Sequence, residues 1–402
     1  MDLSYGAAAE EFRAEVRAFL ADNWQPGERR GSELKDYVRD FRRKGVEAGY
    51  LYRAIPRAYG GSEQPVDVIK AQVIREEFGR ARAPMELGGN GVNMTVPTLL
   101  ERGTQEQKDL FIRKTIEGEY IWGQGYSEPG SGSDLASVRT RAELSADGTK
   151  WIVNGQKIWT SQGMQSTHMF MLVRTEPDAP KHEGITYLLM DLNQPGVTRR
   201  PIRQMTGEQG NDTFCEFFFD NAEAPVSWQV GERGQGWYVS RTTLKHERAS
   251  IGSADGLGNQ FRKLVELARE MGRIDDPLVR DKLGEIEGRV LSHRYSSFRL
   301  FSCAAAGDDP GPIQLMMKLL LTEIGHDMAL LAQDLIGEAG LTEPAGAGAR
   351  GYRGPRGPNK WLDQIMGSLG NSIAGGASNI QRNIIGERGL GLPRDLAMGG
   401  EK

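Results

Sequence analysis

Residues 127–137 read SEPGSGSDLAS, and they follow the apolar run YIWGQGY of residues 120–126. That run has the composition and alternation typical of a β-strand. Glycine, proline and serine then crowd around two acidic residues, so backbone N–H groups could closely approach a phosphate or a flat ring. The same composition also suits a solvated turn. The stretch therefore indicates either a binding loop or a plain turn, and only motifs elsewhere in the chain can distinguish the two.

The whole chain has 402 residues, a formal net charge of −4 and ordinary hydrophobic content, which predicts two or three globular domains. This balance of charge gives no field that would draw the protein to nucleic acid or to a membrane. The two cysteines, Cys215 and Cys303, argue against disulfides and for a cytoplasmic setting. We expect no signal peptide and no membrane span, because no apolar run reaches the ~18 residues that a span needs.

Several kinds of site find no support in the sequence. The five histidines do not fall at the spacing of metal ligands, and no CxxC pair is present. The nucleophile elbow GxSxG and the phosphate loop GxxxxGK[ST] are also absent, and no strand–GxGxxG–helix unit appears. We therefore expect no metal, and a nucleotide cofactor would have to bind without a Rossmann fingerprint.

Hydrophobic periodicity divides the chain into three parts and predicts an α+β multi-domain fold. Residues 1–118 carry helical stripes, as in EEFRAEVRAFLADNW, and form an N-terminal helical domain. Residues 119–235 contain short strands separated by turn residues, which indicates a middle antiparallel β-barrel or sandwich domain. Residues 236–402 contain four long amphipathic segments, which predict a C-terminal four-helix bundle.

A glycine- and arginine-rich stretch, EPAGAGARGYRGPRGP at residues 343–358, separates the third and fourth amphipathic segments of the bundle. Its three arginines are compatible with a patch that binds phosphate or nucleic acid. A solvated loop between two helices explains the composition equally directly and is the interpretation we favour, because nothing else in the chain indicates a nucleic acid partner.

The combination of GYSEPGSGSDLASVRTRA with VNGQKIWTS, GGASNIQR and NIIGERGLGLPRD resembles the acyl-CoA dehydrogenase family. The resemblance covers nearly the whole chain. It implies an FAD-dependent enzyme that desaturates a CoA thioester by removing an α-proton and transferring a β-hydride to flavin N5. It also implies an electron-transfer flavoprotein as partner and a homodimer or homotetramer, with a heterotetramer as the alternative.

The resemblance assigns cofactor contacts to two short segments. Tyr126 and Ser127 are expected to donate to the pyrimidine end of the flavin ring, and Trp159 is expected to lie against that ring. Thr160 and Ser161 are expected beside its N5 edge. Without the flanking motifs, Trp159 would be interpreted as an ordinary core aromatic at a strand end.

Other residues carry roles by resemblance alone. Ser133 matches a serine that meets the pantetheine arm of CoA, although a turn serine is the alternative. Arg273 matches an arginine that reaches the pyrophosphate of the neighbouring subunit, although an arginine at a helix end is common. Gln333, Gly337 and Asn379 match positions that contact the adenine half or other parts of FAD.

The catalytic base has two candidate places in the family. Many members carry a glutamate directly before the GTxxIQR motif, where this chain has Gly375. Others, such as isovaleryl and long-chain enzymes, carry it on the first helix of the bundle before an arginine, and this chain has Glu247 followed by Arg248 there. We therefore expect Glu247 to be the base, Arg248 to orient nearby groups, and the backbone N–H of Gly375 to stabilise the enolate oxygen.

Three alternatives to the dehydrogenase remain open at this point. An acyl-CoA oxidase would use the same base, and sequence does not show oxygen access to the flavin. A flavin monooxygenase needs no α-proton base, so Glu247 argues against it. A non-catalytic partner subunit should have lost the loop or the base. For the substrate, the motifs resemble those of enzymes acting on bulky thioesters, which favours a branched, cyclic or steroid acyl group over a straight fatty chain.

Overall fold

The computed structural model describes residues 5–205, 214–251, 254–338 and 359–393. For residues 248–251, 254–255, 359–360 and 362–363 it describes the backbone alone. Contacts divide the chain into two compact units, Met1–Ile121 with Ala304–Asp308, and Trp122–Cys303 with Asp309–Lys402. Within the described ranges, no helix is both long enough and apolar enough to cross a membrane.

The first unit is built from helices whose buried stripes follow the sequence periodicity. Phe12, Val16 and Leu20 are four residues apart and all are buried on the first helix. Thr104 and Gln107 form a reciprocal capping box that fixes the start of the last helix. The helices are α1 Ala7–Asn23, α2 Gly31–Glu47, α3 Val68–Ala81, α4 Val96–Arg102 and α5 Gln105–Glu117.

A buried carboxylate joins α1 and α3. The side chain of Glu77 is 2% exposed and accepts hydrogen bonds from Arg13 at 2.9 Å, Arg17 at 2.9 Å and Arg80 at 2.7 Å. Burial opposes ionisation of this carboxyl, but the hydrogen bonds from Arg17, Arg13 and Arg80 outweigh it and lower its pKa from 4.5 to about 2. Glu77 is therefore ionised in the folded protein at neutral pH.

We expect Glu77→Gln to destabilise the first unit by about 2–3 kcal/mol at pH 7, because charge-assisted hydrogen bonds are lost from a buried site. The folded-state pKa is depressed, so the contribution of Glu77 is complete above pH 4.5 and is lost as the pH falls towards about 2. Hydrogen exchange of the α1 and α3 amides in the full chain measures the effect. Glu47→Gln, which removes an exposed pair with Arg43, is the matched control and should change nothing.

In the part of the middle region that the structure describes, the strands form an eight-stranded sheet in the order β6-β7-β3-β2-β4-β5-β8, with β1 beside β4. All residues of β4 and β5 except the last of each are buried, which explains their continuous apolar sequences. The strands are β1 Trp122–Gly125, β2 Arg141–Leu144, β3 Lys150–Ser161, β4 His168–Arg174, β5 Ile185–Asp191, β6 Val197–Pro201, β7 Phe214–Pro225 and β8 Gln229–Val230.

The sheet is not wholly antiparallel, which corrects one part of the sequence interpretation. β1 and β2 both pair with β4 in the parallel sense, whereas the other pairs are antiparallel. Parallel pairing of β1 with β4 is possible because the forty or so residues between them form the loop 126–140 and the β2–β3 hairpin, which act as the crossover. Because Gly125, the last residue of β1, pairs with Met171, loop 126–140 starts beside the second half of β4.

The last third of the described chain is helical and packs around one apolar core that includes Leu264, Ile286, Met328 and Trp361. This confirms the predicted order of a helical part, a sheet and a second helical part, while the domain limits at 118 and 235 stay predictions. The helices are α6 Gly236–Ile251, α7 Ala254–Glu270, α8 Pro277–Ala306, α9 Ile313–Ile336, α10 Asn359–Asn371 and α11 Ser378–Ile384.

The fourth amphipathic segment was predicted as one helix, and that prediction was wrong. α10 ends at Asn371 and α11 begins at Ser378, with two consecutive glycines between them. Gly375 has φ +62° and Gly376 has φ +96°, which is backbone that an α-helix excludes and that glycine adopts readily. The Gly/Arg stretch 343–358 lies outside the described residues.

Candidate active site

Loop 126–140 is held in place by a buried ion pair. Lys157 on β3 is 0% exposed and donates from Nζ to Glu128 Oε1 at 2.8 Å. The two carboxylate oxygens of Glu128 also accept the backbone N–H groups of Arg139 at 2.6 Å and Thr140 at 2.9 Å. One carboxylate therefore closes both ends of the loop, and the loop has a defined shape instead of that of a solvated turn.

Burial has a large effect on the protonation of this pair. It lowers the pKa of Lys157 from 10.5 to about 8, and the attraction of Glu128 only partly offsets the loss of hydration. For Glu128, burial opposes ionisation, but the charge and the hydrogen bond of Lys157 outweigh it, so its pKa is lowered. Glu128 is therefore ionised and Lys157 largely protonated at pH 7, and each is the neutralising partner of the other.

The two segments expected to contact the flavin lie side by side. The N–H of Ile158 donates to Ser127 O at 3.0 Å, and Lys157 Nζ donates to Tyr126 O at 3.3 Å. Thr160 Oγ1 donates to Gln124 O at 3.1 Å. The structure thus brings the Tyr126–Ser127 segment next to the Trp159–Ser161 segment, and the contacts of both segments with a flavin stay predictions.

Trp159 has a conformation that core packing does not explain. Its φ is +66°, it lies at a register shift between β3 and β7, and its side chain is 55% exposed. A positive φ is costly for a bulky residue and is found most often where function requires it. The ring touches Phe214 edge-on at a centroid distance of 6.0 Å and leaves an apolar face uncovered. A half-exposed flat apolar ring suits a flat partner molecule.

The later part of the loop is more exposed. Ser133 is on the surface, whereas Ser131 is buried and donates to Asp134 O at 2.8 Å. Arg174 anchors the end of the loop by donating to Ala136 O at 2.7 Å. Ser133 is therefore accessible to a ligand, and its contact with the CoA arm stays a prediction.

We expect Lys157→Met to destabilise the second unit by about 3 kcal/mol, because Glu128 would remain buried without its cation. Loop 126–140 should also exchange its amide hydrogens faster. Urea unfolding and hydrogen exchange measure the two effects. Lys150→Met is a matched control on the same strand, since Lys150 pairs with Glu223 at the surface, and it should leave both observables unchanged. Equal behaviour of the two variants would contradict the role of the pair.

Three buried hydroxyl groups lie together beside Glu247. The ring of Tyr126 packs edge-on against Phe170 and Tyr187, at 5.7 Å and 6.4 Å between centroids. Thr243 Oγ1 donates to the Tyr187 hydroxyl at 3.3 Å, and Thr243 and Glu247 are four residues apart on one face of α6. Burial, the neighbouring Tyr187 and the charge of Glu247 all raise the pKa of Tyr126. Because the side chain of Tyr126 is buried against these rings, any contact of Tyr126 with a flavin would come from its backbone.

Glu247 and Gly375, the two candidate positions for the base, line the same cavity of about 450 Å³. Atom Oε2 of Glu247 is buried. The other lining residues come from α7, α9, α10 and the turn after α10, and they are Gly256, Leu257, Asn259, Gln260, Lys263, Lys318, Leu321, Thr322, Gly325, Gln364, Ser368, Asn371 and Ala374. A carboxylate on α6 and the glycine at position 375 thus line one cavity.

The N–H of Gly375 makes no hydrogen bond to any residue that the structure describes, although the neighbouring backbone is well bonded. Ala374 N donates to Gly370 O at 3.0 Å, and Ser378 N donates to Ser372 O at 2.9 Å. A backbone donor left over in the wall of a cavity is suited to an oxygen of a bound molecule.

The remaining predicted residues lie elsewhere in the second unit. Arg273 pairs with Asp276 at 2.9 Å and donates to Asp334 O, which places it beside Gln333 and Gly337 at the end of α9. Asn379 is on α11 and accepts from Arg382 at 3.4 Å. None of these four residues lines the cavity of Glu247, and their contacts with FAD stay predictions. Arg248 is in α6, and its side chain lies outside the described part.

Four residues of this region were missed by sequence reasoning. Lys157 and Glu128 stand inside the quoted motifs, yet a charged pair across 29 positions leaves no local pattern. Lys318 interrupts the apolar run MMKLLL of α9, and a lysine on an apolar helical stripe is a signal that could have been used. Gln381 belongs to the motif GGASNIQR, but the resemblance assigns it no role.

Three family descriptions match the chain, in the order of its three structural parts. They are "Acyl-CoA dehydrogenase, N-terminal domain" at residues 7–119, "Acyl-CoA dehydrogenase, middle domain" at residues 123–222 and "Acyl-CoA dehydrogenase, C-terminal domain" at residues 234–390. Together the matches extend over the helices of the first unit, the sheet and the helices that line the cavity.

Full-length relatives agree with these matches. Acyl-CoA dehydrogenase IpdE1 of Mycobacterium tuberculosis (strain ATCC 25618 / H37Rv) is 37% identical, over 96% of this chain and 98% of that protein. A solved structure described as "Tcur3481-Tcur3483 steroid ACAD" has a TM-score of 0.75 and 27% identity, over 98% of this chain and 100% of the other. The ChsE4-ChsE5 complex from Mycobacterium tuberculosis has a TM-score of 0.73 and 27% identity, over 98% of this chain and 100% of the other. With both sequence and fold matched from end to end, the chain belongs to the acyl-CoA dehydrogenase family and is an enzyme of that class.

Proposed function

We propose that this enzyme is an FAD-dependent dehydrogenase that introduces the α,β double bond of a bulky CoA thioester, with Glu247 as the base. The observation that carries the proposal is the shared cavity, which both Glu247 and Gly375 line. This chain has a glycine where many family members carry the glutamate base, so the reaction needs another base. Glu247 is a carboxylate available in this cavity.

The chemistry requires two groups at once. A proton on the α-carbon of a thioester is weakly acidic, so its removal needs a positioned base and a donor for the negative charge that grows on the thioester oxygen. The Glu247 carboxylate accepts the α-proton, and the N–H of Gly375 donates to the thioester oxygen. Atom Oε2 of Glu247 is buried, which reduces the hydration of the carboxylate and favours its action as a base.

The residues near loop 126–140 fit a flavin. The exposed ring of Trp159, its positive φ and the backbone of the adjoining loop provide a flat surface with polar groups at its edge. FAD, when bound, supplies the acceptor for the hydride that leaves the β-carbon. Trp159 would cover the ring, Ser127 and Ser161 would supply polar contacts to it, and the Glu128–Lys157 pair would hold the two segments together. The contact expected of Thr160 does not fit, because its side chain is fully buried and its hydroxyl donates to Gln124 O.

The relatives support a proposal for the class of substrate and for the partners. One structural relative is described as a steroid enzyme under a title that pairs two protein names, and another is described as a complex of two named proteins. We accordingly favour a cyclic, steroid-derived acyl group, and an assembly of two or four subunits that includes either a second copy or a related chain. An electron-transfer flavoprotein is the proposed electron acceptor, and oxygen, as in an oxidase, is the alternative.

An anaerobic titration of the purified protein with a panel of CoA thioesters tests the proposal. The panel contains a straight C8 acyl group, a branched acyl group and a polycyclic propanoyl group, and the flavin absorption band is followed. Bleaching by the polycyclic thioester at the lowest concentration supports the proposal. Bleaching by the straight chain alone contradicts the substrate class, and a flavin-containing protein that no thioester bleaches contradicts the reaction.

The electron acceptor is tested on the reduced enzyme. Rapid reoxidation by an electron-transfer flavoprotein together with slow reoxidation by air supports the dehydrogenase. Fast reoxidation by air, with formation of hydrogen peroxide, supports the oxidase. Native mass spectrometry of the same preparation gives the number and identity of the subunits.

A further inference from the structure

The turn between α10 and α11 is held from two sides by buried polar side chains. Lys318 on α9 is 7% exposed and donates from Nζ to Gly376 O at 2.8 Å. Gln381 on α11 is 5% exposed and donates from Nε2 to Gly375 O at 3.1 Å. The carbonyls of two consecutive residues are thus bound by two different helices.

The same turn is closed at its base and tightly packed. Ser378 donates to Ser372 O from both its N–H at 2.9 Å and its hydroxyl at 3.2 Å. A Cβ added at Gly376 would stand 2.4 Å from Gln381 Nε2, so the amide lies directly against the backbone. The Gly375 N–H belongs to the peptide group between Ala374 and Gly375, and the peptide groups on either side of it are both held, because Ala374 N donates to Gly370 O and Gly375 O accepts from Gln381.

Holding a buried carbonyl with a lysine costs the free energy of removing an ammonium group from water. Burial disfavours the charged form of Lys318 and lowers its pKa. Among the described residues, Lys318 forms no ion pair, and its hydrogen bond is to Gly376 O. A neutral amide would hold a carbonyl at a smaller cost, as Gln381 does. The hydrogen bond to Gly376 O alone therefore does not account for a charged side chain at this place. Lys318 also lines the cavity that Glu247 and Gly375 line.

We propose that Lys318 and Gln381 are positioning residues that aim the N–H of Gly375 at the thioester oxygen, and that the charge of Lys318 adds to the stabilisation of the enolate. This inference rests on the proposed function. A preorganised donor stabilises a developing charge without reorganisation, and a cation in the wall of a protein cavity acts on that charge with less screening than in bulk water.

The test compares Lys318→Met, Lys318→Gln and Gln381→Met with the wild type on a thioester that the wild type oxidises. We expect kcat to fall by about 10–100-fold in the Met variants, with the dissociation constant of the thioester changed less than threefold. Lys318→Gln restores a neutral donor and should recover part of kcat. Lys282→Met, which changes an exposed lysine of α8, is the matched control and should match the wild type.

A spectroscopic measurement separates this role from a purely structural one. The infrared stretch of a ¹³C-labelled thioester carbonyl, in a non-oxidisable analogue bound to the holoenzyme, reports the hydrogen bond to its oxygen. We expect the wild type to lower this frequency relative to water and the Met variants to lose most of the shift. Variants that unfold at lower temperature but keep kcat and the carbonyl shift would overturn the inference while leaving the proposed function intact. A wild-type protein that oxidises no thioester would overturn both.

Discussion

Glu247→Gln is expected to lower kcat by about 10³-fold or more, while the CoA thioester binds as tightly as to the wild type. The amide keeps the size and much of the polarity of the carboxylate but cannot accept a proton from carbon. Position 375 is a glycine and offers no second carboxylate in its place. The loss should therefore appear in kcat and in the rate of flavin bleaching in a single turnover, and not in the dissociation constant.

Two companion variants make this result specific. Glu247→Asp keeps the charge but withdraws it by one methylene, so intermediate activity is expected. Glu266→Gln changes an exposed glutamate on the neighbouring helix α7 and should leave the kinetics unchanged. If Glu247→Gln keeps substantial turnover, the base is another group and the central assignment is wrong.

Replacing the amide between Ala374 and Gly375 by an ester should lower kcat by about 10²–10³-fold, the usual effect of removing one oxyanion donor. The ester oxygen removes the N–H of Gly375 and leaves the chain otherwise intact. A proline would be a poor choice here, because its φ near −65° cannot match the +62° of Gly375. Semisynthesis with glycolic acid at position 375 makes the variant.

The control for this variant is the same substitution at Gly391. That glycine also has a positive φ, +68°, but it does not line the cavity. Its ester should have the kcat of the wild type. Equal kcat values for the two esters would show that the N–H of Gly375 has no part in the reaction.

The order of helical and β parts could be read from sequence because each part has a strong local period. Phe12, Val16 and Leu20 mark a helix by their spacing alone, and the apolar strands β4 and β5 are short and rich in β-branched and aromatic residues. The parallel pairing of β1 with β4 was missed, because strand partners are chosen by long-range packing and leave no local pattern.

The site was predictable only where a motif could be matched. Glu247 was predicted as the base because the usual position of the base holds Gly375, and the structure places both residues on one cavity. The helix break at Gly375–Gly376 could have been expected from two adjacent glycines, but periodicity on either side concealed it. Lys318 and Gln381 depend on where two helices meet in space, which the spacing of residues along the chain does not encode.

The most direct test of the central claim is exchange of the α-proton with solvent. A non-oxidisable CoA thioester is incubated with the holoenzyme in D₂O, and deuterium at the α-carbon is counted by mass spectrometry for the wild type and for Glu247→Gln. We predict that the wild type incorporates deuterium and that Glu247→Gln does so at least about 100-fold more slowly, with equal binding of the thioester by both. Equal exchange rates in the two proteins would contradict the assignment of Glu247 as the base.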